Sequence, residues 1–64
     1  MNTARVIKNA IRRLRELERG TAPFKLPAET IRDLDRWIRG LLVGNDLTAA
    51  ERRELQDFYI STLR

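Results

Sequence analysis

Apolar side chains recur along the first third of the chain at steps of three and four residues. At about 100° per residue, this spacing gathers them into one stripe along a helix. Asn2 or Thr3 can cap the first free N–H groups of such a helix, and Gly20 suits the left-handed residue that follows its last turn. The pattern therefore predicts a helix over about residues 3–19. Its apolar stripe consists of Ile7, Ala10, Ile11, Leu14 and Leu17.

A second stripe of the same kind lies between Pro27 and Gly44. Proline is favoured in the first turn of a helix, because its missing N–H would be unpaired there anyway. Glycine then ends the segment, so the sequence predicts a second helix over about residues 27–43. Its apolar stripe consists of Ile31, Leu34, Ile38, Leu41 and Leu42, with Trp37 at the edge.

The third segment opens with the most specific local signal in the chain, a capping box that joins Thr48 and Glu51. In this motif each of the two side chains satisfies a free backbone N–H at the other's position. A third helix is predicted over about residues 48–63. It is less cleanly amphipathic than the others, because Ile60 points away from the face that holds its other apolar residues. That face consists of Leu55, Phe58, Tyr59 and Leu63.

The three stripes predict an all-α fold, either a three-helix bundle or a helical hairpin completed by dimerisation. With 64 residues, the chain buries only about 60% of the surface that its unfolded form exposes. It has no cysteine for a disulfide, so its stability requires very good packing or a second subunit. We therefore expect one domain, residues 1–64, that forms a homodimer. The candidate contacts with a second subunit or a partner are Trp37, Leu41, Tyr59, Ile60 and Leu63.

The positive charge of the chain is concentrated in the first predicted helix. The whole chain carries 13 basic and 9 acidic residues, a net charge of +4. Residues 1–19 hold six basic and two acidic residues, which also sum to +4, so the rest of the chain is neutral. Five of the six basic side chains fall within roughly 80° on a helical wheel, on the side away from the apolar stripe. This basic row consists of Arg5, Lys8, Arg12, Arg15 and Arg19.

A row of like charges destabilises a helix by about 0.2–0.5 kcal/mol for each i, i+4 pair unless acidic groups face it. The candidates for those groups are an acidic protein surface, nucleic-acid phosphates, anionic lipid, and carboxylates of the chain's own helices. The remaining alternative is a solvated face. Arginine dominates lysine in the chain, which favours forked contacts to phosphate or carboxylate.

The sequence lacks the residues that carry most catalytic and metal chemistry. It has no histidine and no cysteine, which removes the commonest general base and the thiolate metal ligands. We predict no catalytic residue, no metal and no cofactor. The longest apolar run, Leu41-Leu42-Val43, is too short to cross a bilayer, so we expect a cytoplasmic protein with no membrane partner.

These observations favour recognition over catalysis. The leading interpretation is a small non-enzymatic regulator or adaptor that occupies the acidic surface of a partner protein through its helix faces, with the basic row supplying steering. The alternative is a dimeric nucleic-acid-binding, transcriptional-regulator-like protein that uses the same row. A helix-turn-helix over the second and third helices fits Gly40, Val43 and Gly44, but Asn45 and Arg53 stand where apolar residues are expected. Small chains of this kind are typical of accessory proteins of bacteria, phages or plasmids.

Overall fold

The computed structural model describes residues 2–63, which form three helices and no strand. Helix α1 spans Thr3–Arg19, α2 spans Ala28–Leu42 and α3 spans Ala49–Ser61. The predicted all-α class with three helices is confirmed. Helices α2 and α3 each begin one residue later, and end one or two residues earlier, than the sequence predicts. None of the helices in this part of the chain is long and apolar enough to cross a membrane.

Both ends of α1 are closed by hydrogen bonds that its sequence provides. At the start, the side-chain oxygen of Asn2 accepts a hydrogen bond from the Arg5 backbone N–H at 3.4 Å. At the end, Gly20 adopts the left-handed conformation with φ of 78°, which residues with a Cβ adopt only with strain. The N–H groups of Gly20 and Thr21 donate to carbonyls of the last turn, which ends the helix and lets the chain turn toward α2.

The capping box at the start of α3 is complete. The Thr48 hydroxyl accepts a hydrogen bond from the Glu51 backbone N–H, and the Glu51 carboxylate accepts one from the Thr48 backbone N–H, both at 3.1 Å. Two backbone donors that the helix would otherwise leave unpaired are thus satisfied.

Side chains of α3 satisfy backbone carbonyls at the end of α2. Arg52 donates to the Gly44 carbonyl at 2.8 Å, and Gln56 donates to the Leu42 carbonyl at 3.2 Å. Carbonyls at a helix end have no partner within the helix, so these bonds stabilise the end of α2. They also fix the turn over residues 43–48, which sets how α3 packs against the rest of the chain.

The core is built from all three helices of one chain. Ile11 and Leu14 of α1 and Ile38 of α2 are fully buried. Burial of each such side chain stabilises the fold by roughly 1.5–3 kcal/mol. The apolar stripes that the sequence predicts for α1 and α2 therefore do face the core. The other buried members of this cluster are Ile7, Leu42, Leu47 and Leu55.

Candidate binding surfaces

Arg15 lies in the interface between α1 and α3. Only 4% of its surface is exposed. On a helical wheel it is about 40° from Ile11, at the boundary of the apolar stripe, so its long side chain can turn inward toward α3. The expectation that Arg15 lies with the rest of the basic row on the side away from the core is therefore wrong.

The Arg15 guanidinium binds the carboxyl end of α3. Its Nη2 donates to the Tyr59 carbonyl at 2.8 Å, and its Nε donates to the Thr62 hydroxyl at 3.2 Å. Its Nη1 donates to the Glu18 carboxylate at 2.8 Å, so the buried cation is paired. Carbonyls in the last turn of a helix carry partial negative charge and need donors. The last turn of α3, which ends at Ser61, holds no basic residue of its own. Arg15 of α1 supplies the donors instead.

Tyr59 joins this cluster to α2. The guanidinium carbon of Arg15 lies 4.4 Å from the centre of the Tyr59 ring, a cation–π contact. The Tyr59 hydroxyl donates to the Asp35 carboxylate, whose other oxygen lies 3.0 Å from Nη2 of Arg39. Burial, followed by the hydrogen bond to Asp35, raises the pKa of Tyr59 above its ordinary value. Polar groups of all three helices therefore meet around one tyrosine.

The amino-terminal part of the basic row faces acidic residues of α3. Arg5 and Lys8 line one cleft together with Glu51 and Glu54. The Lys8 Nζ also lies 5.0 Å from the centre of the Phe58 ring. This part of the row is therefore partly balanced by carboxylates of the same chain, which was one of the alternatives that the sequence left open.

The carboxyl-terminal part of the row lines a second cleft between α1 and the end of α3, with a volume of about 290 Å³. Nη2 of Arg19 donates to the Thr62 carbonyl at 3.3 Å. The guanidinium carbon of Arg12 lies 5.7 Å from the centre of the Phe58 ring. We name this site the arginine cleft, and its lining residues are Arg12, Arg15, Glu16, Arg19 and Thr62.

An apolar groove of about 330 Å³ lies between the end of α2 and the outer face of α3. Val43 and Ile60 border it and are 71% and 63% exposed. Both lie outside the buried stripes, because Val43 follows the last residue of α2 and Ile60 points away from the core face of α3. We name this site the α2–α3 groove, and its lining residues are Arg39, Leu42, Val43, Gln56, Tyr59 and Ile60.

The structure brings two of the five predicted contact residues into this groove, Tyr59 and Ile60. Trp37 and Leu63 do not line it, although they are 55% and 60% exposed. Leu41 is half-buried and packs against the core. The predicted contact set is therefore distributed over more than one face of the bundle.

Six residues that line these two sites were not predicted as contact residues from the sequence: Glu16, Arg39, Leu42, Val43, Gln56 and Thr62. Val43 had a detectable signal, because it is an apolar residue that lies about 100° beyond Leu42 on a helical wheel and therefore outside the buried stripe. Gln56 and Thr62 had none, because their roles depend on where α3 meets α2 and α1.

Within residues 2–63, no three acidic side chains are grouped so as to hold a metal ion. Comparison with known proteins finds no matching family model, no significantly similar curated protein and no significantly similar solved structure. A functional proposal for this chain therefore rests on the geometry and charge of the surfaces described above.

Proposed function

We propose that this chain is a small non-enzymatic regulator or adaptor that acts in the cytoplasm and docks on a partner protein through the α2–α3 groove. The observation that carries the proposal is the exposure of Val43 and Ile60, whose aliphatic side chains border one groove. A contiguous exposed apolar surface with polar groups at its rim is typical of protein-interaction sites. Docking there removes this surface from water, which is the main driving force of association.

The α2–α3 groove has the composition of the centre of a protein interface. The buried Leu42 and the half-buried Tyr59 lie deeper than Val43 and Ile60. Tyrosine and arginine are enriched among the residues that dominate binding energies. The Arg39 side chain is 61% exposed and is already oriented by Asp35. The groove therefore fits an apolar side chain of a partner that has an acidic group beside it.

The exposed members of the basic row supply the long-range part of this proposal. Arg5, Arg12 and Arg19 attract an acidic partner and raise its association rate. They are also the residues of the alternative proposal, nucleic-acid binding. With three phosphate contacts, the logarithm of the affinity falls with the logarithm of the salt concentration at a slope of about −2.7.

Self-association of the chain is part of the proposal. Trp37 and Leu63 are each more than half exposed, and a second copy that covers them would bury apolar surface that a chain of this size leaves in water. Light scattering over a concentration series measures the molar mass. A monomer at every concentration would contradict the homodimer without affecting the proposal for the groove.

The groove is tested by comparing the proteins that two immobilised chains capture from extracts of the native host. One is the wild type and the other carries Val43→Ser and Ile60→Ser. We expect a partner that the double variant retains about tenfold less well, because removal of central interface side chains commonly costs 1–2 kcal/mol or more. Calorimetry with the purified partner then measures the difference in affinity.

The matched control is Val6→Ser, which makes the same kind of change at an apolar side chain of α1 that is 45% exposed and lies outside the groove. Circular dichroism establishes that each variant is folded. Capture of the same partners by the double variant and the wild type contradicts the proposal. If the double variant still binds duplex DNA, with a salt slope of about −2.7, the result favours the nucleic-acid alternative.

A further inference from the structure

The arginine cleft combines three guanidinium groups that α1 presents in register. Arg12, Arg15 and Arg19 follow one another at steps of three and four residues, so they lie on one face and about 4.5 and 6 Å apart along the helix axis. All three line one cleft, and Thr62 of the segment after α3 closes its other side. The cleft is therefore formed only when α1 and α3 are packed together.

The donors in this cleft are not all used within the chain. A guanidinium has five N–H donors, and Arg15 uses one from each of its nitrogens, which leaves one on Nη1 and one on Nη2. Arg12 donates to the side chain of Asn9 at 3.3 Å and Arg19 to the Thr62 carbonyl at 3.3 Å. Among residues 2–63, neither Arg12 nor Arg19 has a carboxylate partner within 4.0 Å.

The charges around the cleft do not cancel. Glu16 lines it but pairs with Arg13 at 3.4 Å, and Glu18 pairs with Arg15 at 2.8 Å. Four arginines and two glutamates in residues 12–19 leave +4 − 2 = +2. A ligand with two negative charges therefore neutralises the site, whereas a single carboxylate leaves half of the excess positive charge uncompensated.

We infer that the arginine cleft binds a phosphate monoester dianion. Arginine is suited to phosphate because its planar fork of donors matches two phosphate oxygens at once. The volume of about 290 Å³ corresponds to roughly ten water molecules. It exceeds the size of the phosphate group itself, so the cleft has room for part of the molecule that carries the phosphate. This site is separate from the α2–α3 groove and stands even if that groove binds nothing.

A phosphodiester, as in a nucleic-acid backbone, is a weaker ligand for this site by the same reasoning. It carries one negative charge and two of its oxygens are esterified, so it offers fewer acceptors to three arginines. Methyl phosphate and dimethyl phosphate are therefore a matched pair of probes that differ in charge and in one methyl group.

The test is a titration of the protein with each probe, followed by the ¹H–¹⁵N signals of the arginine Nε–H groups at constant ionic strength. With methyl phosphate we expect saturable shifts at Arg12, Arg15 and Arg19. Dimethyl phosphate should bind at least about tenfold more weakly. Arg12→Gln and Arg19→Gln should each weaken methyl phosphate about tenfold. Arg53→Gln removes the same charge from an exposed residue of α3 that does not line the cleft, and should change the affinity by about twofold or less.

The pH dependence provides an independent readout. The second pKa of a phosphate monoester is about 6, and the chain has no histidine that titrates nearby. The affinity should therefore fall below a pH of about 6 and level off about tenfold lower, because the monoanion that is then present carries the same single charge as dimethyl phosphate. A phosphoserine peptide or a sugar phosphate that binds more tightly than methyl phosphate identifies the carrier as a protein or a small molecule. Shifts that do not saturate, equal binding of dimethyl phosphate, or equal effects of Arg12→Gln and Arg53→Gln would each overturn the inference.

Discussion

Replacement of Arg15 by alanine is expected to destabilise the fold more than replacement of any other member of the basic row. The change removes the charged donors to the Tyr59 carbonyl and the Thr62 hydroxyl at the end of α3, and leaves that carbonyl only the Thr62 hydroxyl as a side-chain donor, at 3.1 Å. A buried polar group that loses its partner costs about 1–3 kcal/mol, with bonds to charged donors near the upper limit. Glu18 is 42% exposed and is hydrated after the change, so loss of its ion pair adds little. The expected loss is about 2–4 kcal/mol.

That loss is large for a chain of this length. At roughly 0.05–0.15 kcal/mol per residue, 64 residues have a free energy of unfolding of about 3–10 kcal/mol. For a domain of this size, each kcal/mol lowers Tm by about 4–8 °C, so Arg15→Ala should lower Tm by roughly 10–30 °C. Urea and thermal unfolding followed by circular dichroism measure both quantities.

Two control variants separate the possible causes. Arg12→Ala removes an exposed guanidinium from the same row and should cost less than about 1 kcal/mol. Arg15→Met retains most of the buried side-chain volume but supplies no donor, so it should remain about 1–2 kcal/mol less stable than the wild type. If Arg15→Ala is no less stable than Arg12→Ala, the assignment of Arg15 to the end of α3 is refuted. If Arg15→Met matches the wild type, the side chain acts through packing alone.

Gly20→Ala should lower the free energy of unfolding by about 1 kcal/mol, because φ at this position is +78°, whereas Gly40→Ala should raise it by about 0.5–1 kcal/mol, because a Cβ there enters open space within a helix. Urea unfolding measures both, and effects of the same sign would contradict the reasoning. Tyr59 is the only tyrosine, so phenolate absorbance should show a titration midpoint above 10.0 in the native protein and near 10.0 in urea. Since the fold favours the neutral phenol, this contribution to stability is complete below the unfolded pKa and is lost as the pH rises through the folded one. Tyr59→Phe should remove the part of the loss of stability at high pH that comes from ionisation of Tyr59. Equal titration midpoints in water and in urea would exclude the raised pKa.

The helices and the core could be predicted from the sequence because their signals are local. The apolar stripes of α1 and α2 repeat over several turns, so the prediction of each helix does not depend on any single residue. The capping box at Thr48 and the glycine at the end of α1 depend on residues within four positions of each other. Such features are set by the backbone of a single helix.

The position of Arg15 could not be predicted in the same way. A helical wheel gives the direction of the Cα–Cβ bond, whereas the end of an arginine side chain lies several bonds further on. The direction of the Arg15 side chain depends on the Tyr59 carbonyl and the Thr62 hydroxyl, which lie more than 40 residues away in the chain. The α2–α3 groove was only partly predictable for the same reason, since Ile60 and Val43 become neighbours through the crossing of two helices.

The contact between Arg15 and the end of α3 has a consequence for how the molecule opens. The last turn of a terminal helix commonly frays, because few interactions hold it. In this chain, fraying would break the hydrogen bonds from Arg15 to the Tyr59 carbonyl and the Thr62 hydroxyl and the cation–π contact with the Tyr59 ring together. The final turn of α3 should therefore fray less than the last turn of a terminal helix commonly does. The Thr62 amide, which donates to the Phe58 carbonyl at 3.1 Å, should exchange its hydrogen with solvent more slowly than amides at the end of a terminal helix commonly do.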